Sequence, residues 1–219
     1  MTINRRQLLA TVSAGAVLAA TGMAFAQDKP VSPIEWTDKN GLVKDLAKDT
    51  DPLKDELKKY PRCRYCGMER AKFSHTRHLV VYEDDSVEGT CSIHCAAISL
   101  SLNMDRGPKA IYAGDAGADG EIKPLVLVDK ASYVIDPSKP GTMTRVSKFA
   151  YADAAKAEAA AKVEASAKAG AKVVKFDDAL KAAYLDMAED SIMLRKRRGE
   201  MRKKMGGAPA GGDMSGHKH

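Results

Sequence analysis

The sequence predicts an α+β protein with two small lobes, each a β-hairpin plus a helix, followed by a long C-terminal helix and a disordered tail. In the first lobe, Leu79–Tyr82 and Val87–Thr90 flank an acidic turn as hairpin strands do, and residues 93–104 carry apolar side chains at helical spacing. In the second lobe, short apolar runs within residues 125–135 precede an alanine-rich helix that starts at Asp153. Two hairpin-plus-helix units in succession favour the α+β class.

Residues 1–26 have the pattern of a twin-arginine signal peptide that is cleaved after Ala26. Arg5-Arg6 precede two leucines, and Ala24-Phe25-Ala26 fits a small-residue cleavage site. The apolar run between them is too short to span a bilayer. An ordinary secretory peptide that contains two arginines is the alternative. Both routes predict a periplasmic mature protein, in a compartment where paired cysteines commonly form disulfides.

The mature chain is predicted to begin with a polar lead-in arm, residues 27–60, which contains three prolines and a short helix near Leu53–Lys59. One domain follows over residues 61–190. Its two lobes are expected at about residues 61–113 and 121–190, separated by a glycine- and aspartate-rich stretch. The second lobe ends in a helix that starts near Asp177.

Positive charge is concentrated near the C-terminus. The precursor has 35 Lys+Arg against 29 Asp+Glu, and residues 195–204 alone hold seven basic side chains and one acidic one. The rest of the mature chain is near neutral, which argues against a nucleic-acid-binding surface. For Arg195–Lys204 two interpretations stand: a charged helix end, or weak docking to the anionic surface of a membrane. Residues 191–219 therefore comprise a basic helix end and a tail whose composition predicts disorder, with Met and His near its end.

The four cysteines lie in two short clusters, each accompanied by another soft ligand. Thiolates, a thioether and an imidazole gathered in this way form a ligand set for a soft metal ion. The candidate ligands in this window are Cys63, Cys66, Met68, Cys91, His94 and Cys95. Two more histidines, His75 and His78, lie between the clusters and are expected on the exposed face of a strand.

Four interpretations compete at these residues. Four cysteines at these spacings suit a closed tetrahedral zinc site. Two disulfides are expected in an oxidising compartment. A thiol-disulfide oxidoreductase would use the two-residue gap of Cys63 and Cys66, although the residues that follow predict a turn rather than a helix. Cu(I) prefers thiolate and thioether ligands, and the Gly67 turn lets Cys66 and Met68 converge on one ion.

Further motifs occur in chain order over about residues 61–187. They are Cys63-x-x-Cys66-Gly67-Met68, Asp84-Asp85 with Gly89, Val126-Leu127-Val128-Asp129, Ala131-Ser132-Tyr133-Val134, Gly141-Thr142-Met143 and Phe149-Ala150. In these motifs the chain resembles the NosL family, the accessory copper chaperones of nitrous oxide reductase. The resemblance implies an exported Cu(I) chaperone of two similar βα lobes that is not an enzyme. It places Cys66, Met68 and Met143 at the family's metal-binding motifs.

Two features depart from the family pattern. Family members are commonly lipoproteins with a modified N-terminal cysteine, whereas this chain has no cysteine before Cys63. The element Cys91-x-x-His94-Cys95 belongs to a branch of the family, where it can complete the first metal site, add a second one or form a disulfide.

We therefore predict a periplasmic metallochaperone that holds one Cu(I) through Cys66 and Met68. Further ligands are expected among Cys63, His94, Cys95 and Met143. The predicted recipient is an apo copper enzyme such as nitrous oxide reductase, and a copper transporter is a second candidate partner. A structural four-cysteine zinc module for protein interaction is the main alternative.

Overall fold

The computed structural model describes Ser32, Glu35, Lys39, Gly41, Val43 and residues 45–206. The signal peptide, part of the lead-in arm and the tail beyond Gly206 lie outside these residues. Cleavage after Ala26 and disorder of the tail therefore stay predictions.

A five-stranded antiparallel sheet carries the first half of the described chain. Its strand order is β1-β3-β2-β4-β5. The strands are β1 (Ala47–Lys48), β2 (His78–Tyr82), β3 (Ser86–Thr90), β4 (Pro108–Gly114) and β5 (Leu125–Leu127). The predicted hairpin is confirmed, because Leu79 pairs with Gly89 and Val81 with Val87.

Strand β5 belongs to the first sheet, whereas the sequence predicted it in the second lobe. Its residues were predicted to open the second lobe, but Leu127 pairs with Tyr112 and Leu125 with Gly114 of β4. The glycine- and aspartate-rich stretch thus closes a connection within the first sheet. Strand pairing of this kind is decided by tertiary contacts, which a local pattern of apolar residues does not contain.

Two helices precede and follow the β2–β3 hairpin. Helix α1 spans Glu56–Lys59, within the predicted range. Helix α2 spans Ile93–Leu102, and the Ser92 hydroxyl caps it by accepting a hydrogen bond from the Cys95 backbone N–H at 3.5 Å. The predicted helix start is confirmed. The helix ends two residues before Met104, which lies in a 3₁₀ turn over Met104–Arg106.

A three-stranded antiparallel sheet and three helices form the second half. The sheet order is β7-β6-β8, with β6 (Ser132–Asp136), β7 (Ser147–Tyr151) and β8 (Lys172–Val174). The helices are α3 (Ala154–Ala161), α4 (Glu164–Lys168) and α5 (Phe176–Lys204). The predicted class, α+β with a long C-terminal helix, is confirmed.

The single alanine-rich helix expected to start at Asp153 is instead two helices. Asp153 caps α3 as predicted, accepting from the backbone N–H of Ala155 at 2.7 Å. The chain leaves helical geometry at Val163, and α4 begins one residue later. In α4 the buried Ser166 hydroxyl donates to Asp136 Oδ2 of β6 at 2.7 Å. This bond joins α4 to the sheet.

The main core is shared by both sheets and by α2 and α5. Val80 and Tyr82 of the first sheet, Tyr133 of the second, and Phe176 of α5 belong to one buried cluster. Two alanines of α5, Ala179 and Ala183, are completely or almost completely buried, so this helix packs closely on the core. No helix in the described part of the chain combines the length and apolar character of a membrane span.

His78 is a buried core residue, so its predicted place on an exposed strand face is wrong. The side chain is 1% exposed. Its Nδ1–H donates to the Thr76 carbonyl at 2.9 Å, because a carbonyl can only accept, and Nε2 then accepts from the Tyr133 hydroxyl at 3.0 Å. Both ring nitrogens are engaged, so neither is free to bind a metal ion.

Burial lowers the pKa of His78 to about 4, chiefly by desolvation. An unfolded histidine has a pKa of about 6.5, so the unfolded chain binds an extra proton as the pH falls below that value. We expect the free energy of unfolding to fall by about 2 kcal/mol more between pH 7 and pH 4.5 in the wild type than in His78→Asn. Urea denaturation of both proteins at the two pH values measures this difference. An equal decrease in the free energy of unfolding in the two proteins would contradict the lowered pKa of His78.

Candidate metal centre

The first cysteine pair lies in a tight turn that follows α1. The Cys63 backbone N–H donates to the Met68 carbonyl at 2.8 Å, and the Gly67 N–H donates to the Cys63 carbonyl at 2.9 Å. Gly67 has a φ of +73°, which glycine adopts without a Cβ penalty. Tyr65, at the middle of this loop, donates its hydroxyl to Glu88 Oε2 of β3 at 2.6 Å. The loop is thereby fixed against the strand that leads to Cys91.

The second pair is positioned by the junction of β3 and α2. Cys91 follows the last residue of β3, and Cys95 is the third residue of α2. At that position Cys95 lies in the first helical turn, where backbone N–H groups and the helix dipole favour negative charge. The Cys91 carbonyl accepts a hydrogen bond from the Thr76 hydroxyl at 2.8 Å, which holds the junction in place.

The four sulfur atoms converge. Among Cys66, Cys91 and Cys95 the Sγ···Sγ distances are 3.4 Å for Cys66–Cys91, 3.8 Å for Cys91–Cys95 and 4.0 Å for Cys66–Cys95. The Cys63 sulfur completes the group, and the four sulfurs all lie within 4.8 Å of one another. A disulfide bond would bring two sulfurs to about 2.05 Å. Each of these cysteines carries a free thiol. A tetrahedral ion with metal–sulfur bonds of about 2.3 Å separates its ligands by about 3.8 Å, so the spacing suits a bound metal.

Three of the four cysteines are buried, and the fourth is accessible to solvent. Cys63, Cys91 and Cys95 are each at most 2% exposed, whereas Cys66 is half-buried. Met68, Tyr65 and Phe73 pack around the sulfur atoms. Met68 is therefore close to the four thiols, as its position beside Gly67 predicted.

Two further predicted ligands, His94 and Met143, line a groove against α5, together with Met187, Met193 and Asp190. Their part in metal binding stays a prediction. His75 is half-buried and its ring contacts Phe149 edge-on at 5.5 Å.

A sequence model of the NosL family matches residues 54–184, a range that contains all four cysteines, Met68, His94 and Met143. The chain belongs to the NosL family. The crystal structure of the copper chaperone NosL from Shewanella denitrificans is similar at 20% sequence identity, with a TM-score of 0.42, covering 61% of this chain and 93% of that chain. No curated protein matches the chain.

In this NosL family member the pKa values of the thiols are shifted in opposite directions. Hydrogen bonds from Cys91 and Cys95 lower the pKa of Cys63 well below its usual range. The same bonds raise the pKa of Cys91 and of Cys95, because each must keep its proton to donate to the Cys63 sulfur. A soft cation can replace the thiol protons, since thiolates are its ligands.

A buried arginine joins the two cysteine-bearing segments. Arg70 is fully buried and forms an ion pair with Glu56 of α1 at 2.7 Å. Its remaining N–H groups donate to backbone carbonyls of Tyr60 at 2.6 Å, Thr90 at 3.2 Å and His78 at 3.0 Å.

The carbonyls that Arg70 contacts lie close to the cysteines in the chain. Tyr60 precedes Cys63 by three residues, and Thr90 directly precedes Cys91. A Cβ on Gly89 would come within 2.7 Å of the Arg70 guanidinium carbon, so glycine is needed there. Sequence reasoning missed Arg70, because nothing near it in the chain predicts a buried ion pair with Glu56.

We expect Arg70→Met to lower the free energy of unfolding by about 3 kcal/mol or more, because three buried carbonyls lose their donor and one buried ion pair is lost. Lys72→Met is the matched control: Lys72 is an exposed cation on the same segment, 3.0 Å from Glu69. Its effect should stay within about 0.5 kcal/mol. Urea denaturation of the reduced, metal-free proteins measures both. Similar small losses in the two variants would contradict the role given to Arg70.

Among the four thiols, Cys66 should react first with a water-soluble thiol reagent. The low pKa of Cys63 favours that sulfur, but a reagent must reach it, and Cys63 is 2% exposed. In stopped-flow labelling of reduced protein, Cys66→Ser should lose the fast phase and Cys63→Ser should keep it. The reverse pattern would show that the centre opens at Cys63.

Proposed function

We propose that this protein is a periplasmic Cu(I) metallochaperone that delivers copper to an exported copper enzyme such as nitrous oxide reductase. The observation that carries the proposal is the convergence of four free thiols within 4.8 Å, with Met68 packed against them. Sulfur ligands of this kind select Cu(I) over hard cations. Membership of the NosL family supports the same role.

The solvent exposure of the four cysteines suits a protein that transfers copper better than one that stores it. Three buried thiols exclude water from the ion, while the half-buried Cys66 and the adjacent Met68 leave one side accessible to an incoming ligand. A recipient's ligand can then replace Cys66 before the other three thiolates release the ion. The copper stays Cu(I) throughout: one copper–sulfur bond breaks as another forms, and no electron is transferred.

A structural zinc site is the second candidate, and the sulfur spacing favours it to the same degree. Distances of 3.4–4.0 Å between sulfurs fit a tetrahedral zinc ion as well as a copper ion. The two candidates differ in their consequences. A structural zinc ion would be present in protein isolated without added metal, and its removal by a chelator would unfold the chain.

Redox catalysis is not favoured by the geometry. In thiol-disulfide exchange proteins the two-residue cysteine motif begins a helix, whose dipole stabilises the attacking thiolate. Here Cys63 and Cys66 lie in a turn, and the Cys66 sulfur is 3.4 Å from Cys91.

The recipient enzyme and a copper transporter remain the proposed partners. Helix α5 extends to Lys204, and its basic side chains from Arg195 onward are exposed. Their weak contact with an anionic membrane surface stays a prediction.

We expect the reduced mature protein to take Cu(I) from a competing chelator, and the double variant Cys66→Ser, Met68→Leu to lose affinity by more than about tenfold. Met104→Leu is the control, since Met104 is 75% exposed and lies outside the cysteine centre. Spectrophotometric titration against the chelator measures all three. Absence of competition by the wild type, or unchanged affinity in the double variant, would refute copper binding at this centre.

A further inference from the structure

The two residues between Cys63 and Cys66 both contact one buried carboxylate. The Tyr65 hydroxyl donates to Glu88 Oε2 at 2.6 Å, and Arg64 Nε forms an ion pair with Glu88 Oε1 at 3.5 Å. Glu88 is 2% exposed, whereas Tyr65 is half-buried and Arg64 is exposed. Because water screens the guanidinium, the Tyr65 hydroxyl is the stronger of the two attachments. The loop between the cysteines is thus fixed to β3 through one side chain.

Helix α2 binds the same carboxylate. The Ser99 hydroxyl donates to Glu88 Oε2, and the Asn103 side-chain amide lies 3.5 Å from the same oxygen. Because the single hydroxyl proton of Ser99 is used in this bond, Ser99 accepts from the Tyr82 hydroxyl at 2.6 Å. Ser99 follows Cys95 by four residues, so the two lie on one face of α2. The carboxylate therefore fixes the face of the helix that carries Cys95.

Glu88 also belongs to the strand that leads to Cys91. It is the third residue of β3, its backbone pairs with Val80 of β2, and Cys91 follows it by three residues. A buried carboxylate is costly unless it is hydrogen-bonded, so the donors around Glu88 are needed for the fold. One side chain thus joins the three segments that carry the four cysteines, namely the cysteine loop, the end of β3 and the start of α2.

The backbone hydrogen bonds of the cysteine loop are internal to it. The Cys63 N–H donates to the Met68 carbonyl and the Gly67 N–H donates to the Cys63 carbonyl, at 2.8 and 2.9 Å. These bonds determine the shape of the loop but do not attach it to the sheet. The bond from Tyr65 to Glu88 does attach it, at the residue next to the half-buried cysteine.

We propose that Glu88 is a positioning residue for the metal centre, which holds the loop of Cys66 through Tyr65 and so limits the rate at which bound copper leaves. The inference rests on the function proposed above. Cys66 is the cysteine that an incoming ligand reaches first. To exchange its copper–sulfur bond, the loop moves away from Cys91 and Cys95, and this movement breaks the bond between the Tyr65 hydroxyl and the carboxylate. The copper stays Cu(I), because one ligand bond breaks as another forms.

Tyr65→Phe tests the proposal, because it removes one hydroxyl and keeps the ring that packs against the cysteines. The reduced mature protein is loaded with one equivalent of Cu(I) and mixed with a competing chelator in a stopped-flow instrument. We expect Tyr65→Phe to transfer its copper more than about fivefold faster than the wild type, because a hydrogen bond to a charged acceptor no longer opposes loop movement.

The matched control is Tyr60→Phe. The Tyr60 hydroxyl also donates to a carboxylate, Asp49 Oδ2, at 2.8 Å, but this bond lies outside the cysteine loop. Both variants lose one hydrogen bond of the same chemical kind, so a general loss of stability would affect them alike. Tyr60→Phe should transfer copper at the rate of the wild type.

The carboxylate itself is tested in a double variant. In the Glu88→Leu background, Tyr65→Phe should add no further acceleration, because the hydroxyl has already lost its acceptor. If Glu88→Leu does not fold, the comparison of the two tyrosine variants decides the proposal without it.

Thiol labelling of the reduced, metal-free protein measures the same loop movement without copper. The fast phase of Cys66 should be more than about threefold faster in Tyr65→Phe than in the wild type or in Tyr60→Phe, because local opening of the loop becomes more frequent.

The outcomes separate this proposal from the copper function. If the wild type takes up Cu(I) and the two tyrosine variants transfer it at equal rates, copper binding stands and the positioning role of Glu88 is refuted. Acceleration by Tyr65→Phe in the Glu88→Leu background would show that Tyr65 acts without the carboxylate. If the wild type takes up no Cu(I), the copper function fails, and equal labelling rates of Cys66 in all three proteins would refute the positioning role as well.

Discussion

The buried guanidinium of Arg70 is the contact on which the metal centre depends. A charge that is removed from water must be fully paired, and Arg70 meets this demand with Glu56 and three backbone carbonyls. Two of those carbonyls, of Tyr60 and Thr90, lie just before the two cysteine clusters. The same interactions that stabilise the charge therefore hold the sulfur-bearing segments together before any metal is present. A centre arranged in advance loses less entropy when the ion binds.

Two kinds of soft-donor chemistry lie side by side in this fold. The cysteine centre offers largely buried thiols that release protons as they take up a cation. The groove against α5 offers neutral thioethers and an imidazole that are partly open to solvent.

Local sequence patterns predicted the hairpin of β2 and β3, the start of α2 at Ser92 and the convergence of the cysteines. Each of these depends on residue spacing or on caps that a few neighbouring residues define. The pairing of β5 with β4, the break before α4 and the burial of His78 depend on partners distant in the chain, which spacing alone does not reveal. Spacing alone likewise does not reveal the bonds that join the β6–β7 turn, which carries Met143, to α5.

X-ray absorption at the copper edge, on protein loaded with one equivalent of Cu(I), tests the central claim most directly. Coordination by the cysteine cluster predicts sulfur neighbours at about 2.3 Å, a normal metal–thiolate length. A first coordination sphere made of oxygen and nitrogen atoms, without sulfur, would contradict the account.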